Sequence, residues 1–145
     1  MPNVNVNPFF SFSRVKITKQ YVDKEQNVVY IYVELDRRYI PVCHRCGTKA
    51  RGIHSWRSRR VRDLNIYDAK CYVDIRYRKI YCSGCGIVVE EFPFIDPYRR
   101  VTKRFIQFVL TLCKHMSIKQ VAECIDMDWK TIKAIHKRYL KESYP

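Results

Sequence analysis

Cys43-His44-Arg45-Cys46-Gly47 and Cys82-Ser83-Gly84-Cys85-Gly86 share one pattern, two cysteines separated by two residues and followed by glycine. This spacing lets one tight turn direct two thiolates at a single ion, and the glycine permits the positive φ that brings backbone N–H groups toward sulfur. Two such turns complete a tetrahedral set of four thiolates, which favours one Zn²⁺ ion. Because four protein ligands leave no open position for water, the site is expected to be structural.

The remaining cysteines and the histidines allow alternatives to this four-thiolate zinc site. Four cysteines also allow an iron–sulfur cluster or redox-active thiols, although the glycines that follow both pairs fit zinc better. The chain has seven cysteines, and an odd number leaves one thiol over in a disulfide framework. The remaining three are interpreted as buried apolar residues: Cys71, Cys113 and Cys124. His44 is expected to be exposed. His54 could replace a thiolate, although a loop position or a place beside the ligands is favoured.

Strand-like sequence surrounds the cysteine pairs. Residues 28–33 are β-branched or aromatic, and residues 71–78 alternate, which predicts a strand with one buried face and one polar, basic face. The inward positions are Cys71, Val73, Ile75 and Tyr77, and the outward ones are Tyr72, Asp74, Arg76 and Arg78. The 35 residues between the pairs predict a β-excursion of the zinc-ribbon type. Residues 1–13 are interpreted as a tail or loop, and residues 92–98 as a linker.

Helical periodicity replaces alternation after residue 100. Thr102, Ser117 and Asp128 fit the N-caps of three helices. Residues 118–139 have the spacing of a helix-turn-helix, with residues 126–128 as the turn. Asp126 stands where many such motifs have a left-handed glycine. The positions expected to face the interior are Val121, Ala122, Ile125, Ile132 and Ile135.

The third helix would present a basic face that suits duplex DNA. N-terminal residues of a recognition helix reach base edges, while flanking cations hold phosphates. The candidates for base contact are Trp129, Lys130, Thr131, Lys133 and Ala134. The candidates for backbone contact are Lys119, Lys137, Arg138, Arg99, Arg100, Lys103, Arg104, Arg57, Arg59 and Arg60. The alternative is a three-helix bundle with a solvated basic face.

The charge distribution supports a polyanionic partner. The chain of 145 residues has a formal net charge of +14, which indicates nucleic acid before an anionic membrane. Residues 37–62 contain nine basic residues and no acid, and residues 99–145 contain eleven basic and four acidic residues. No signal peptide or membrane-spanning stretch is recognisable. These features predict a reducing, cytoplasmic and nucleoid-associated protein with neither a membrane partner nor a small-molecule substrate.

The order of motifs resembles the N-terminal region of bacterial insertion-sequence transposases of the ISL-three family. Besides the two cysteine turns, the resemblance rests on Ile53-His54-Ser55, Arg60-Val61-Arg62-Asp63-Leu64, Glu91-Phe92-Pro93 and Arg100-Val101-Thr102, ahead of the helix-turn-helix. It implies recognition of terminal inverted repeats. Members of the family continue into a catalytic domain with three metal-binding carboxylates, and the chain of 145 residues has no room for it. The chain is therefore expected to be a fragment, a truncated product or a reused module, without catalytic residues.

The resulting expectation is an α+β protein with two parts. Residues 1–98 would form an antiparallel, zinc-ribbon-like β-domain with one structural Zn²⁺ ion, and residues 99–145 a three-helix helix-turn-helix domain. The expected partner is double-stranded DNA, and a homodimer is compatible with the pattern. Two rivals stay open. One is an RNA- or single-strand-binding module that stacks bases on Tyr72, Tyr77 and Tyr81 beside Arg76 and Arg78, and the other is a protein-assembly module.

Overall fold

A five-stranded sheet precedes three helices in the computed structural model, which describes Phe10, Phe12, residues 14–95 and residues 100–143. The strands are β1 (Val15–Asp23), β2 (Val28–Leu35), β3 (Gly52–Ile66), β4 (Ala69–Cys82) and β5 (Gly86–Val89). The helices are α1 (Lys103–Cys113), α2 (Ile118–Ile125) and α3 (Trp129–Ser143). This arrangement confirms the α+β class. None of the described helices combines the length and the apolar character needed to cross a membrane.

One strand pair departs from the antiparallel expectation. The strand order is β1-β2-β4-β3, with β5 also paired to β4, and β2 runs parallel to β4. Parallel neighbours need a long crossover connection. The chain between β2 and β4 includes the first cysteine pair and β3, so it is long enough. The β3–β4 hairpin therefore inserts β4 beside β2, and β3 becomes the edge strand.

The main core covers one face of the sheet. Val29, Ile31 and Val33 of β2 pair in register with Cys71, Val73 and Ile75 of β4, and all six are buried. The segments interpreted from sequence as a tail and a linker contribute to the cover, since Phe10, Phe92, Phe94 and Ile95 are buried there. The described residues of both segments form no strand or α-helix, and their apolar side chains complete the core. The rest of both segments lies outside the described residues.

The alternation of inward and outward side chains along β4 agrees with the prediction as far as Tyr77, and it fails at Arg78, close to the metal centre. Tyr77 faces the core, where its ring lies edge-on to Phe92. Arg78, predicted on the polar face, is buried with 4% exposure. The polar face is covered at this end because Glu90, next to β5, forms an ion pair with Arg78.

The three predicted helices are present with the predicted caps. Thr102 and Ser117 accept hydrogen bonds from the backbone N–H groups of Phe105 and Gln120, and Asp128 accepts one from Lys130. Asp126 has φ 53° and ψ 61°, the left-handed conformation that the turn requires. The five predicted inward residues are buried in the helical core: Val121, Ala122, Ile125, Ile132 and Ile135.

Candidate metal centre and nucleic-acid interface

The four cysteines of the two turns converge at one end of the sheet. Their Sγ atoms all lie within 4.8 Å of one another, and those of Cys46 and Cys82 are 3.4 Å apart. Sulfur atoms bound tetrahedrally to Zn²⁺ at about 2.3 Å are separated by about 3.8 Å. The donor set therefore fits one zinc ion, and the prediction that both pairs form a single cluster is confirmed.

Backbone geometry positions these thiols as the sequence suggested. Gly47 and Gly86 have φ values of 74° and 80°, a region that residues with a Cβ rarely adopt. The Arg45 N–H lies 3.4 Å from the Cys43 Sγ, and the Gly47 N–H donates to the Cys43 carbonyl at 3.0 Å. The first turn thus closes on its own cysteine pair.

The proton affinities of the cluster differ from one sulfur to the next. A hydrogen bond between the Cys46 sulfur and the Thr48 hydroxyl, 3.2 Å apart, is the main cause that lowers the pKa of Cys46 to about 6. The hydrogen bond with the Cys46 sulfur and desolvation raise the pKa of Cys85 to about 12. A bound dication favours deprotonation of its thiol ligands. A zinc ion bound at the cluster would therefore favour the thiolate form of all four cysteines.

Cysteines and histidines outside the cluster correct several expectations. Cys71 is buried as predicted, and desolvation raises its pKa to about 12. Cys124 was predicted to be buried, but it is exposed. His44 is half-buried rather than exposed, with Nδ1 2.7 Å from the Val89 carbonyl oxygen. His54 lies on strand β3, outside the cysteine cluster, with its ring edge-on to Tyr81.

A buried ion pair joins the metal centre to the sheet. The Arg78 Nε lies 2.7 Å from the Glu90 Oε2, and the two side chains are only 4% and 3% exposed. The same carboxylate accepts the Arg78 backbone N–H at 2.8 Å. Because Glu90 also forms a β-bridge with Cys43, the pair fixes the first cysteine turn against β4.

Two adjacent residues of β3 hold the helices against the sheet. The Arg62 guanidinium donates to the Ile125 carbonyl oxygen at 2.8 Å, at the end of α2, where a cation complements the helix dipole. Asp63, fully buried, accepts from the Thr102 hydroxyl at 2.8 Å and from Arg104 Nε at 2.8 Å. The β-sheet and the helix-turn-helix are therefore joined by polar contacts as well as by packing.

Asp63→Asn is expected to weaken this junction. The change removes the charge opposite Arg104 and puts an amide N–H₂ where an acceptor is needed, which should destabilise the fold by about 2 kcal/mol. This loss of stability is smaller than the usual cost of breaking a buried ion pair, because the Arg104 side chain is 34% exposed to solvent. Urea unfolding monitored by circular dichroism measures the difference, and a variant as stable as the parent chain would contradict this assignment.

The outward face of α3 carries the predicted base-contact residues. Trp129 is 49% exposed, and the Lys133 Nζ lies 5.9 Å from the centroid of its ring. The other candidates on this helix are also exposed: Lys130, Thr131, Ala134, Lys137 and Arg138. The opposite face is buried through Ile132 and Ile135. The helix therefore separates a packed apolar side from an exposed basic side.

Several predicted backbone-contact residues have other partners. Arg104 pairs with Asp63 and lies over the rings of Phe10 and Phe12, so its guanidinium is engaged within the protein. Arg60 pairs with Asp74 and Arg138 with Glu142. Apart from Arg60 and Arg138, the exposed candidates in the described part of the chain are Arg57, Arg100, Lys103, Lys119 and Lys137, while Arg59 is half-buried. Arg99 lies outside the described residues.

Sequence reasoning missed the roles of Asp63 and Glu90. Asp63 shares the core-facing side of β3 with Val61, and an acid at an apolar position of an alternating strand indicates a buried cation partner. The sequence of β3 does not show such an apolar face, because Arg57, Arg59 and Asn65 share the alternating positions of Val61 and Asp63. Glu90 has no such signal either, since it lies beyond the last strand.

Two family models match the chain. The zinc-finger of transposases IS204, IS1001, IS1096 and IS1165 matches residues 41–85, and the helix-turn-helix domain of transposase family ISL3 matches residues 90–140. The chain is 30% identical over 105 residues to the transposase for insertion sequence element IS1001 of Bordetella parapertussis. That match covers 72% of this chain and 26% of the relative. No solved structure gives a significant match.

The comparisons and the geometry agree on the metal centre and on the family. Cys43, Cys46, Cys82 and Cys85 lie within the zinc-finger match or at its last residue, and they hold one structural zinc ion. The helix-turn-helix match contains all three helices up to residue 140. Residues 41–140 therefore comprise the zinc-finger and helix-turn-helix regions of the ISL3 family of transposases.

Proposed function

We propose that this chain binds double-stranded DNA in a sequence-specific way, and that its target is the terminal inverted repeat of a mobile element. The observation that carries the proposal is the exposed face of α3, which presents cations and an aromatic ring while its apolar face is buried. In a helix-turn-helix, such a face enters the major groove with its N-terminal residues against base edges. The identity of this relative as a transposase supports the choice of target.

The N-terminal part of α3 offers the donors for base readout. Lys130 and Lys133 can donate to guanine oxygens, the Thr131 hydroxyl can donate or accept, and the Ala134 methyl group suits a thymine methyl. Lys119 on α2 and Lys137 on α3 are exposed and would contact phosphates. These assignments rest on exposure and on the docking geometry of the motif.

We further propose that residues 1–98 and 99–145 form two modules of one binding unit, in which this part of the chain binds DNA rather than cutting it. Both matched family models describe such modules, a zinc-finger and a helix-turn-helix. The contacts of Arg62 and Asp63 support joint action, because they fasten the helices to the sheet. Binding to bacterial DNA would make the protein cytoplasmic and nucleoid-associated.

A gel-shift titration tests the proposal. It compares duplex DNA carrying the inverted repeat, a scrambled duplex of equal length and a structured RNA, each at two salt concentrations. We expect the inverted repeat to bind most tightly and all affinities to fall with salt, since phosphate contacts release counterions. Failure to bind any duplex at low salt would contradict the proposal.

Lys133→Ala and Lys103→Ala are expected to have different effects on specificity. Loss of a base contact at Lys133 should cost about 1–3 kcal/mol on the inverted repeat and less on scrambled DNA. Loss of a phosphate contact at Lys103 should weaken both complexes alike. Fluorescence anisotropy at fixed salt measures both ratios. Equal losses for Lys133→Ala on the two duplexes would remove Lys133 from the base-reading set.

The single-strand rival finds less support in the described residues. Its proposed platform is divided, because Tyr77 faces the core while Tyr72 lies on the opposite face of β4. Tyr72 stacks against Tyr30 at a centroid distance of 6.0 Å. The guanidinium groups of Arg62 and Arg60 lie over the two rings, which therefore already have partners. Tighter binding of the structured RNA than of either duplex in the titration would nevertheless favour this rival.

Hydrodynamic measurements distinguish the protein-assembly hypothesis from the DNA-binding proposal. A module that docks another chain should show a mass that rises steeply with concentration and little affinity for nucleic acid. Sedimentation equilibrium of the chain alone and with duplex DNA measures both properties, and it also determines whether a homodimer forms.

A further inference from the structure

A basic groove lies between the metal centre and the first turn of α1. It encloses about 630 Å³ and is lined by Arg45, Arg59, Tyr77, Lys79, Arg100 and Lys103, among others. We propose that this groove binds the phosphate backbone of the same duplex that α3 reads, so that the zinc module contacts DNA directly. The inference rests on the proposed duplex binding and adds a second contact surface to it.

The groove collects cations from separate parts of the chain. Arg45 comes from the first cysteine turn, Arg59 from β3 and Lys79 from β4, while Arg100 and Lys103 come from the start of the helical region. The carboxylates among its described lining residues are those of Glu90 and Glu91. Glu90 is already paired with Arg78. The described lining therefore has five basic side chains and two carboxylates, one of them paired with Arg78, and this excess of cations suits a polyanion.

Arg59 provides the most informative observation in the groove. Its side chain is half-buried, and it forms no ion pair with the residues that the structure describes. Desolvation lowers the pKa of Arg59, the interaction with Tyr77 partly opposes this shift, and the nearby charge of Arg100 lowers the pKa further. A partly desolvated cation beside another cation is unfavourable unless an anion neutralises it. A phosphate group supplies that charge and accepts the planar fork of N–H donors.

The attachment of the helices to β3 makes a joint footprint feasible. Arg59 lies three residues before Arg62, which reaches the end of α2, and four before Asp63, which reaches α1. The groove and the helices α1 and α2 are therefore held by the same stretch of one strand, and α3 packs against both helices. Because their relative position is already restrained, binding one duplex with both surfaces costs little additional conformational entropy.

The test compares two double variants with the same loss of charge. Arg59→Gln/Lys79→Gln changes the groove, and Lys16→Gln/Lys19→Gln changes two exposed lysines of β1, which is separated from β3 by two strands. Affinity for the inverted-repeat duplex is measured at several salt concentrations, together with hydroxyl-radical footprints. Circular dichroism and zinc content establish that each variant is folded. If Arg59→Gln disturbs the fold of β3, the double variant Arg100→Gln/Lys79→Gln is used in place of the first groove variant. Arg100 suits this purpose because it is exposed and lies outside the strands and helices.

We expect the groove variant to bind about 10- to 100-fold more weakly, with a salt slope smaller by about two. Its footprint should lose protection on one flank of the site read by α3, while the control variant keeps the parental affinity within about threefold. A groove variant with the slope and footprint of the control would overturn the inference. The proposed function would survive that result if Lys133→Ala still reduces binding to the inverted repeat. Absence of duplex binding by the parent chain would end both.

Discussion

Cys43→Ser is expected to abolish stoichiometric zinc binding and to unfold the metal module with the strand ends that carry it. Structural zinc sites contribute on the order of 10 kcal/mol of folding free energy, whereas a whole domain has a net stability of about 5–15 kcal/mol. The apolar cluster at this end is small, with Cys43, Ile80, Cys82 and Val88 as its buried members. Two of these residues are zinc ligands, so packing alone cannot replace the metal.

Elemental analysis and thermal unfolding followed by circular dichroism measure this effect. The parent chain should contain close to one zinc per molecule, and a strong chelator should reproduce the unfolding of the variant. Cys124→Ser is the matched control, because Cys124 is an exposed thiol on α2 outside the cluster. It should keep both zinc and stability. A metal-free chain with unchanged thermal stability would refute the structural role of the site.

Glu90→Gln is expected to destabilise the protein by about 3–5 kcal/mol, the usual cost of removing one partner from a buried ion pair. Arg78 would keep its charge in a site with 4% exposure and lose the carboxylate that accepts its Nε and Nη2 groups. The amide of glutamine offers one acceptor oxygen in place of two. Since Glu90 also bridges to Cys43, zinc affinity should fall together with stability.

Asp74→Asn provides the comparison for Glu90→Gln. Asp74 forms an ion pair with Arg60 at 2.8 Å, but the arginine side chain is 52% exposed, and such pairs are worth about 0–1 kcal/mol. Urea denaturation curves with equal slopes give the change in unfolding free energy for both variants. Similar losses of unfolding free energy for the two variants would mean that the Arg78–Glu90 ion pair does not stabilise the metal centre.

Features that depend on neighbouring residues were predictable. The cysteine turns, the positive φ of Gly47 and Gly86, and the caps at Thr102 and Ser117 each involve contacts within about three residues. Periodicity likewise identified the inward faces of β4 and of α2 and α3. In each case the local sequence contains both partners, so spacing alone determines which groups meet.

Features that depend on distant partners were missed or wrong. Arg78 appeared to belong to the polar face of β4, but its partner Glu90 is twelve residues away. Arg104 resembled a phosphate contact, but Asp63, 41 residues earlier in the chain, neutralises it. Alternation assigns a side chain to a face of a strand. It does not show what later covers that face.

The sequence by itself determined the four zinc ligands, the two kinds of module and the exposed basic face of α3, since each follows from residue types at short, regular spacing. Only the tertiary structure decided that β4 lies parallel to β2, that Arg62 and Asp63 fasten the helices to β3, and that five cations from four segments line one groove. The physical reason is that burial and charge neutralisation depend on groups brought together by folding. The same basic residue can therefore be a structural partner or a free cation, and the partners that folding brings to it decide which.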